Sequence, residues 1–185
     1  VRIGREVHCI WVTDGGWGGQ DVARRRNESI GVLSSLGVAK GAMHFLGERH
    51  GIRDGELYLM MDEARGALAA TLAQLPSDAR WLVPAWEGGH QDHDALHLLA
   101  LELAGAANVQ LFQYPLYNGA GLPGPLFRVL HPLPDNGRLI PIATPLVPRL
   151  RYVLRCLRYR SQWKSFVGLL PFYILAMFPR HPFTL

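Results

Sequence analysis

Short apolar runs and longer stretches of helical spacing take turns along residues 6–117, and this alternation leaves few folds open. "EVHCIWVT" (6–13) is rich in β-branched and aromatic residues and stops at the glycine-rich "DGGWGG", the pattern of a buried strand feeding a loop. Asp21 is placed to cap the helix "VARRRNESIGVLSSLG", which stops at Gly37. "AMHFLG" (42–47) reads as a second strand and "HGIRDG" as a turn-rich connector. "ELYLMMDEARGALAATLAQL" (56–75) has apolar residues at helical spacing and ends before Pro76. A third strand at 80–85, a helix at 92–105 and a fourth strand at 108–117 complete the series. Such alternation implies the α/β class, a mostly parallel sheet with helices on both faces. Ligands of these sheets sit beyond the carboxyl ends of the strands. "DGGWGG" and "WEGGHQDH" are therefore expected to face one crevice.

A chain of 185 residues has the length of one domain, and its 49% apolar and 18% charged residues are ordinary for a globular fold. Cys9 and Cys156 fall in a strand and a helix, with no CxxC pair, which fits a reduced, cytoplasmic setting. After Asn118 the chain turns irregular, "NGAGLPGPLFRVLHPLPDNG", read as an excursion over the crevice or the sheet edge. A basic amphipathic helix is expected at 149–164, carrying Arg149, Arg151, Arg155, Arg158, Arg160 and Lys164, with Arg180 beyond it. The preferred reading is a solvated face with arginine stems lying on apolar neighbours. Attraction to phosphate or to an anionic membrane surface is the alternative. The apolar run from Phe166 to Phe178 is shorter than the roughly 20 residues of a membrane span, and Pro171 interrupts it. A buried helix or a partner-covered surface is expected there, with an interfacial anchor as the minor reading. No nucleic-acid partner is expected.

The stretch "WEGGHQDHDALHLLA" (86–100) carries the chemistry. With a helix starting near Asp92, His93 and His97 lie one turn apart on the same face. His90 sits just ahead, where Gly88 and Gly89 let the backbone turn. Neutral imidazole is a good zinc ligand, and a catalytic zinc site takes three protein ligands and a water. The intervening carboxylate can fix an imidazole tautomer. Asp92 reads as an N-cap whatever else it does, and His97 as an ordinary half-buried helix histidine. His90 and His93, beside two glycines at a strand's carboxyl end, are the functional pair.

"HQDHDA" resembles the His-Pro-Asp-His motif of the LmbE/PIG-L-like zinc-dependent N-acetylglucosaminyl deacetylases. "VTDGG" is similar to that family's Thr-Asp-Gly, "RRNESIGVLSSLGV" (25–38) to its Arg-x-x-Glu helix, "MHFLG" to the following strand, and "YRSQ" (159–162) to a late Ser-Gln element. The resemblance implies a Rossmann-like three-layer sandwich and a metal-dependent hydrolytic N-deacetylase acting on an N-acetylated sugar or sugar conjugate. It implies that His93 is a zinc ligand, with another divalent metal as an alternative. His90 would polarise the amide carbonyl or stabilise the oxyanion, Asp92 would orient His90, and Arg25 would bind substrate.

The family's first motif, His-Pro-Asp-Asp-Glu, is not in these residues. A single domain over 1–185, lacking an N-terminal strand that carries two zinc ligands and the general base, is therefore expected. Gln91 replaces the motif proline. Gly88 stands where some members place a tyrosine, a contribution expected either to be absent or to come from elsewhere, with Trp86 and Tyr117 as candidates. The alternative is a non-catalytic member that binds carbohydrate or a partner. A nucleotide site at "DGGWGG" is disfavoured, because the loop lacks GxGxxG spacing and a P-loop lysine.

Overall fold

A computed structural model of the protein describes Gly4 and residues 6–124, 126–177 and 183–184. Arg180 and the end of the apolar run at Phe178 lie outside the described residues. The fold is mixed α/β and is built on two parallel strand pairs. β1 (Cys9–Trp11) pairs with β2 (Met43–Phe45) across the helix α1 (Val22–Ser34). After β2 the chain makes a short helix α2 (Leu46–His50), a 3-10 turn at Leu57–Leu59 and the helix α3 (Met61–Leu72). β3 (Trp81–Pro84), the helix α4 (Gln91–Ala107) and β4 (Leu111–Tyr114) form the second parallel pair. Two antiparallel pairs follow. β5 (Tyr117–Asn118) joins β6 (Arg128–Val129), and β7 (Pro141–Ile142) joins β8 (Phe183–Thr184). Helices α5 (Leu146–Cys156) and α6 (Trp163–Ala176) lie between β7 and β8 in sequence.

Local chemistry accounts for most boundaries. The Asp21 carboxylate accepts the Arg24 amide at 3.0 Å and caps α1. Asn108, with φ 53°, closes α4 in the left-handed conformation that asparagine tolerates. The central core joins Val12, Leu46, Ile52, Leu57, Leu68, Ala95 and Leu99, so α2, α3 and α4 share one face of β1. The other face is covered by Ile30 and Leu33 of α1, packed with Val38, Ala42 and Met43. α4 also reaches the second pair, where His97 Nδ1 lies 3.1 Å from the Pro84 carbonyl oxygen. His97 is thus the half-buried helix histidine expected.

Three boundaries depart from the sequence reading. α2 begins inside the stretch read as strand 42–47. The helix expected over 56–75 starts only at Met61. The basic helix expected over 149–164 is broken after Cys156, passes a 3-10 turn at Arg160–Gln162, and resumes as α6. Among the described residues no helix is long and apolar enough to cross a membrane. Pro171 sits within α6 without ending it.

α2 ties β2 to the first glycine loop. The Gly47 carbonyl accepts the Ile52 amide at 2.9 Å, and the Ile52 carbonyl accepts the Asp14 amide at 2.9 Å. The backbone of Thr13 and Asp14 passes directly over Gly47, where a Cβ would lie far inside contact distance. Gly47→Ala is expected to cost about 1–3 kcal/mol through overpacking. Thermal unfolding checks it, with Gly66→Ala, in open space on α3, as the control that keeps or raises the melting temperature.

Candidate functional site

The site is assembled where β3 hands over to α4. His90 is the N-cap of α4, and its Nδ1 accepts the Asp92 amide at 3.2 Å. Asp92 is therefore not the cap that the sequence suggested. Its side chain turns into the core, 5% exposed, and accepts the backbone amides of Gly55 at 2.5 Å and Leu57 at 3.1 Å. The Asp92 carboxylate thus spends its lone pairs on the loop before α3, and it meets His90 only through its own backbone N–H. Gln91, at the position of the motif proline, donates from Nε2 to the Gly55 carbonyl at 2.8 Å, strengthening the same junction.

Neighbouring carboxylates fix the loop. Asp94 Oδ1 accepts the amides of Glu87 and Gly88 at 2.9 and 3.2 Å. Glu87 is buried and accepts the amides of Leu116 and Tyr117 at 2.9 and 3.0 Å, and the Asn118 side chain at 3.3 Å. Gly89 lies against the Tyr117 carbonyl oxygen, where a Cβ would stand 2.7 Å away, so a side chain here would push β5 off the loop. Tyr117 is brought beside His93, ring centroids 5.9 Å apart and edge-on, whereas Trp86 stands exposed.

His93 stacks on His90 with centroids 4.6 Å apart. Burial, helped by the neighbouring His90, pulls its pKa down to about 4, against the opposing pull of Asp94 and Asp54. The ring is neutral at physiological pH, the state a metal ligand or a hydrogen-bonding imidazole requires. Because His90 Nδ1 accepts a backbone N–H, the neutral His90 ring carries its proton on Nε2. Burial, reinforced by Glu87 and Asp54, raises the Tyr117 pKa, so the phenol stays protonated and is a donor.

These groups open on a cavity of about 1020 Å³ that is also lined by Thr13, Asp14, Arg25 and Asp54. Both loops expected to share a crevice do so. Of the three consecutive arginines, Arg24 pairs with Glu28 away from the cavity, whereas Arg25 and Arg26 both line it, Arg26 while paired with Glu48. Burial lowers the Arg25 pKa, with Asp54, Tyr159 and Glu28 opposing.

Asp54 is the residue that sequence reasoning missed. Burial and the like charge of Asp92 raise its pKa, while hydrogen bonds from the Thr13 hydroxyl and the Trp17 amide oppose the rise. The signal was an acid inside a connector read only as turn chemistry, "HGIRDG".

The far wall comes from the end of the chain. Tyr152, Tyr159, Leu170 and Tyr173 line the same cavity. Glu28 holds this wall by accepting the Ser161 amide at 3.1 Å and the Ser161 hydroxyl at 2.6 Å. Gln162 bonds Gln20 alongside. Burial would raise the Glu28 pKa, yet these bonds and Arg24 hold it below the usual carboxylate range. The Arg-x-x-Glu and Ser-Gln elements singled out in the sequence therefore meet in space.

The donor set does not complete a zinc site. His93 offers one neutral nitrogen, but among the described residues no three His, Cys, Asp or Glu side chains converge on a point that would hold a metal. What the arrangement offers by itself is a set of hydrogen-bond donors, His90, Tyr117 and Arg25 among them, lining one cavity with the half-buried carboxyl of Asp54.

Two outcomes follow from this geometry. Asp92→Ala leaves the Gly55 and Leu57 amides without partners in a dry junction, and is expected to cost about 3 kcal/mol, read by denaturant unfolding. The second concerns acid. The unfolded chain takes a proton at His93 near its ordinary value of 6.5, whereas the folded chain resists it until about pH 4. His93 therefore lowers stability as pH falls through that window and contributes nothing above it. His93→Asn should flatten the loss of melting temperature between about pH 7 and pH 5, and a variant with the parental acid profile would refute the assignment.

Searches against protein-family models, curated proteins and solved structures find no match to this chain.

Proposed function

We propose that the protein is a metal-dependent hydrolytic N-deacetylase acting on an N-acetylated sugar or sugar conjugate in a cytoplasmic setting. The observation that carries this reading is the stacked pair His90 and His93, with His93 held neutral, at the mouth of a cavity flanked by Arg25, Asp54 and Tyr117. Amide hydrolysis needs donors aimed at a developing oxyanion in a site shielded from bulk solvent. His90 Nε2–H and the Tyr117 phenol are such donors. Arg25 donates to sugar hydroxyls and Asp54 accepts from them, which suits a polyhydroxylated substrate. His93 would supply one ligand to a divalent metal, whose chemistry when bound would be to activate water.

The finer fold reading is a Rossmann-like three-layer sandwich. Its support is that both strand pairs are parallel and are crossed by helices. In the doubly wound order 3-2-1-4-5, β2 and β1 take the places 3 and 2 while β3 and β4 take 4 and 5. The described residues supply no strand for the place between them.

A second reading, a carbohydrate-binding module without catalysis, is favoured by the incomplete donor set. The two separate on the full-length protein, by acetate release from N-acetylglucosaminides and by elemental analysis. His93→Ala should lose metal. His90→Ala should keep it and lose turnover by about 100-fold or more. Arg25→Ala should raise KM far more than Arg24→Ala. Equal metal content in parent and His93→Ala overturns the metal assignment, and sugar binding without acetate release selects the module.

A further inference from the structure

We propose that the α5–α6 hairpin seats the protein on an anionic membrane surface. The observations concern charge, apolar exposure and geometry, and are independent of the deacetylase reading.

All fifteen acidic residues lie at or before Asp135, whereas eight of the nineteen lysines and arginines lie after it. The last fifty residues are therefore purely basic. Arg149 is used internally: it is buried and donates to the Met177 carbonyl at 2.8 Å and to the Thr144 carbonyl, closing the open end of the hairpin. Arg151, Arg158, Arg160 and Lys164 are exposed, and among the described residues no carboxylate pairs with them.

Between these charges the hairpin exposes large apolar side chains. Val147, Leu150, Leu154 and Leu157 repeat at spacings of three and four, which aligns them as one stripe along α5 and its last turn. Each is between 50% and 63% exposed. α6 adds Trp163, Val167 and Leu175, exposed by 60–70%. Other sides of the same helices turn to the cavity, which Tyr152 of α5 and Tyr173 of α6 line. The stripes are thus an outer surface.

A one-sided apolar stripe flanked by arginines, on helices too short to span, has the chemistry of a segment lying in the interface of an anionic bilayer. A nucleic acid would satisfy the arginines but not the leucines between them. A second copy packed stripe to stripe would bring like charges together, which opposes association.

The test is flotation of the full chain with vesicles of phosphatidylcholine alone, or with about a third of the lipid replaced by phosphatidylglycerol. Binding to the anionic vesicles should exceed binding to the neutral ones by about tenfold or more, and should fall as salt shortens the Debye length from about 10 to about 3 Å. Arg151→Glu/Arg158→Glu and Leu150→Ser/Leu154→Ser should each remove about tenfold of the binding while circular dichroism stays parental. Equal binding to the two vesicle types, or parental binding by the charge-reversal variant, overturns the proposal. So does a lipid-free dimer that the leucine variant dissolves, which would assign the stripe to a second copy. Salt-sensitive binding to an acidic protein in place of vesicles would also overturn it.

Discussion

A single buried carboxylate sets the relation between the parts of the site. Asp92 lies in the first turn of α4 and accepts two amides from the loop ahead of α3, at Gly55 and Leu57. That loop carries Asp54, and the helix turn carries His90 and His93. The interaction therefore fixes the distance between the acid of the cavity and its imidazoles. The helix N-terminus favours a negative charge at this position, and two backbone donors occupy its oxygens. Burial raises the pKa of Asp54, and the like charge of Asp92 adds to that rise. One side chain thus performs a structural task and also bears on the titration of another.

The electrostatics of the cavity divide accordingly. Asp92 and Glu87 spend their carboxylate oxygens on backbone amides inside the scaffold. The imidazole with fewer polar partners, His93, loses its charge to burial. Tyr117 keeps its proton for the same reason. The cavity thus sets a neutral imidazole and phenol beside the guanidiniums of Arg25 and Arg26 and the carboxyl groups of Asp14, Glu48, Asp54 and Asp92.

Much of the fold was readable because it rests on local periodicity. The alternation of apolar runs with helical stretches located both parallel pairs, and the Asp21 cap and the glycines located turns. His90 and His93 were readable from crowding alone, and Arg25 stood out from its neighbours once consecutive positions on a helix were separated. The misses share a cause. Asp54 and Glu87 look like exposed acids in loops, since nothing within a few residues of either announces that distant backbone amides will bury Glu87 or that the Asp92 carboxylate will lie near Asp54. α2 hides in "LGERHG" because the close approach of Thr13 to Gly47 is a tertiary event. The basic stretch at 149–164 has helical spacing throughout, yet it breaks near Leu157, and the turn delivers Ser161 to Glu28. There a long-range hydrogen bond outweighs a local propensity.

The Glu28–Ser161 latch joins residues 133 positions apart. Closing so long a loop carries a large entropic cost, which the far wall offsets through the latch and the packing beside it. A ligand that bound the latched form alone would draw the chain toward that form by mass action, coupling occupancy of the cavity to closure of its wall.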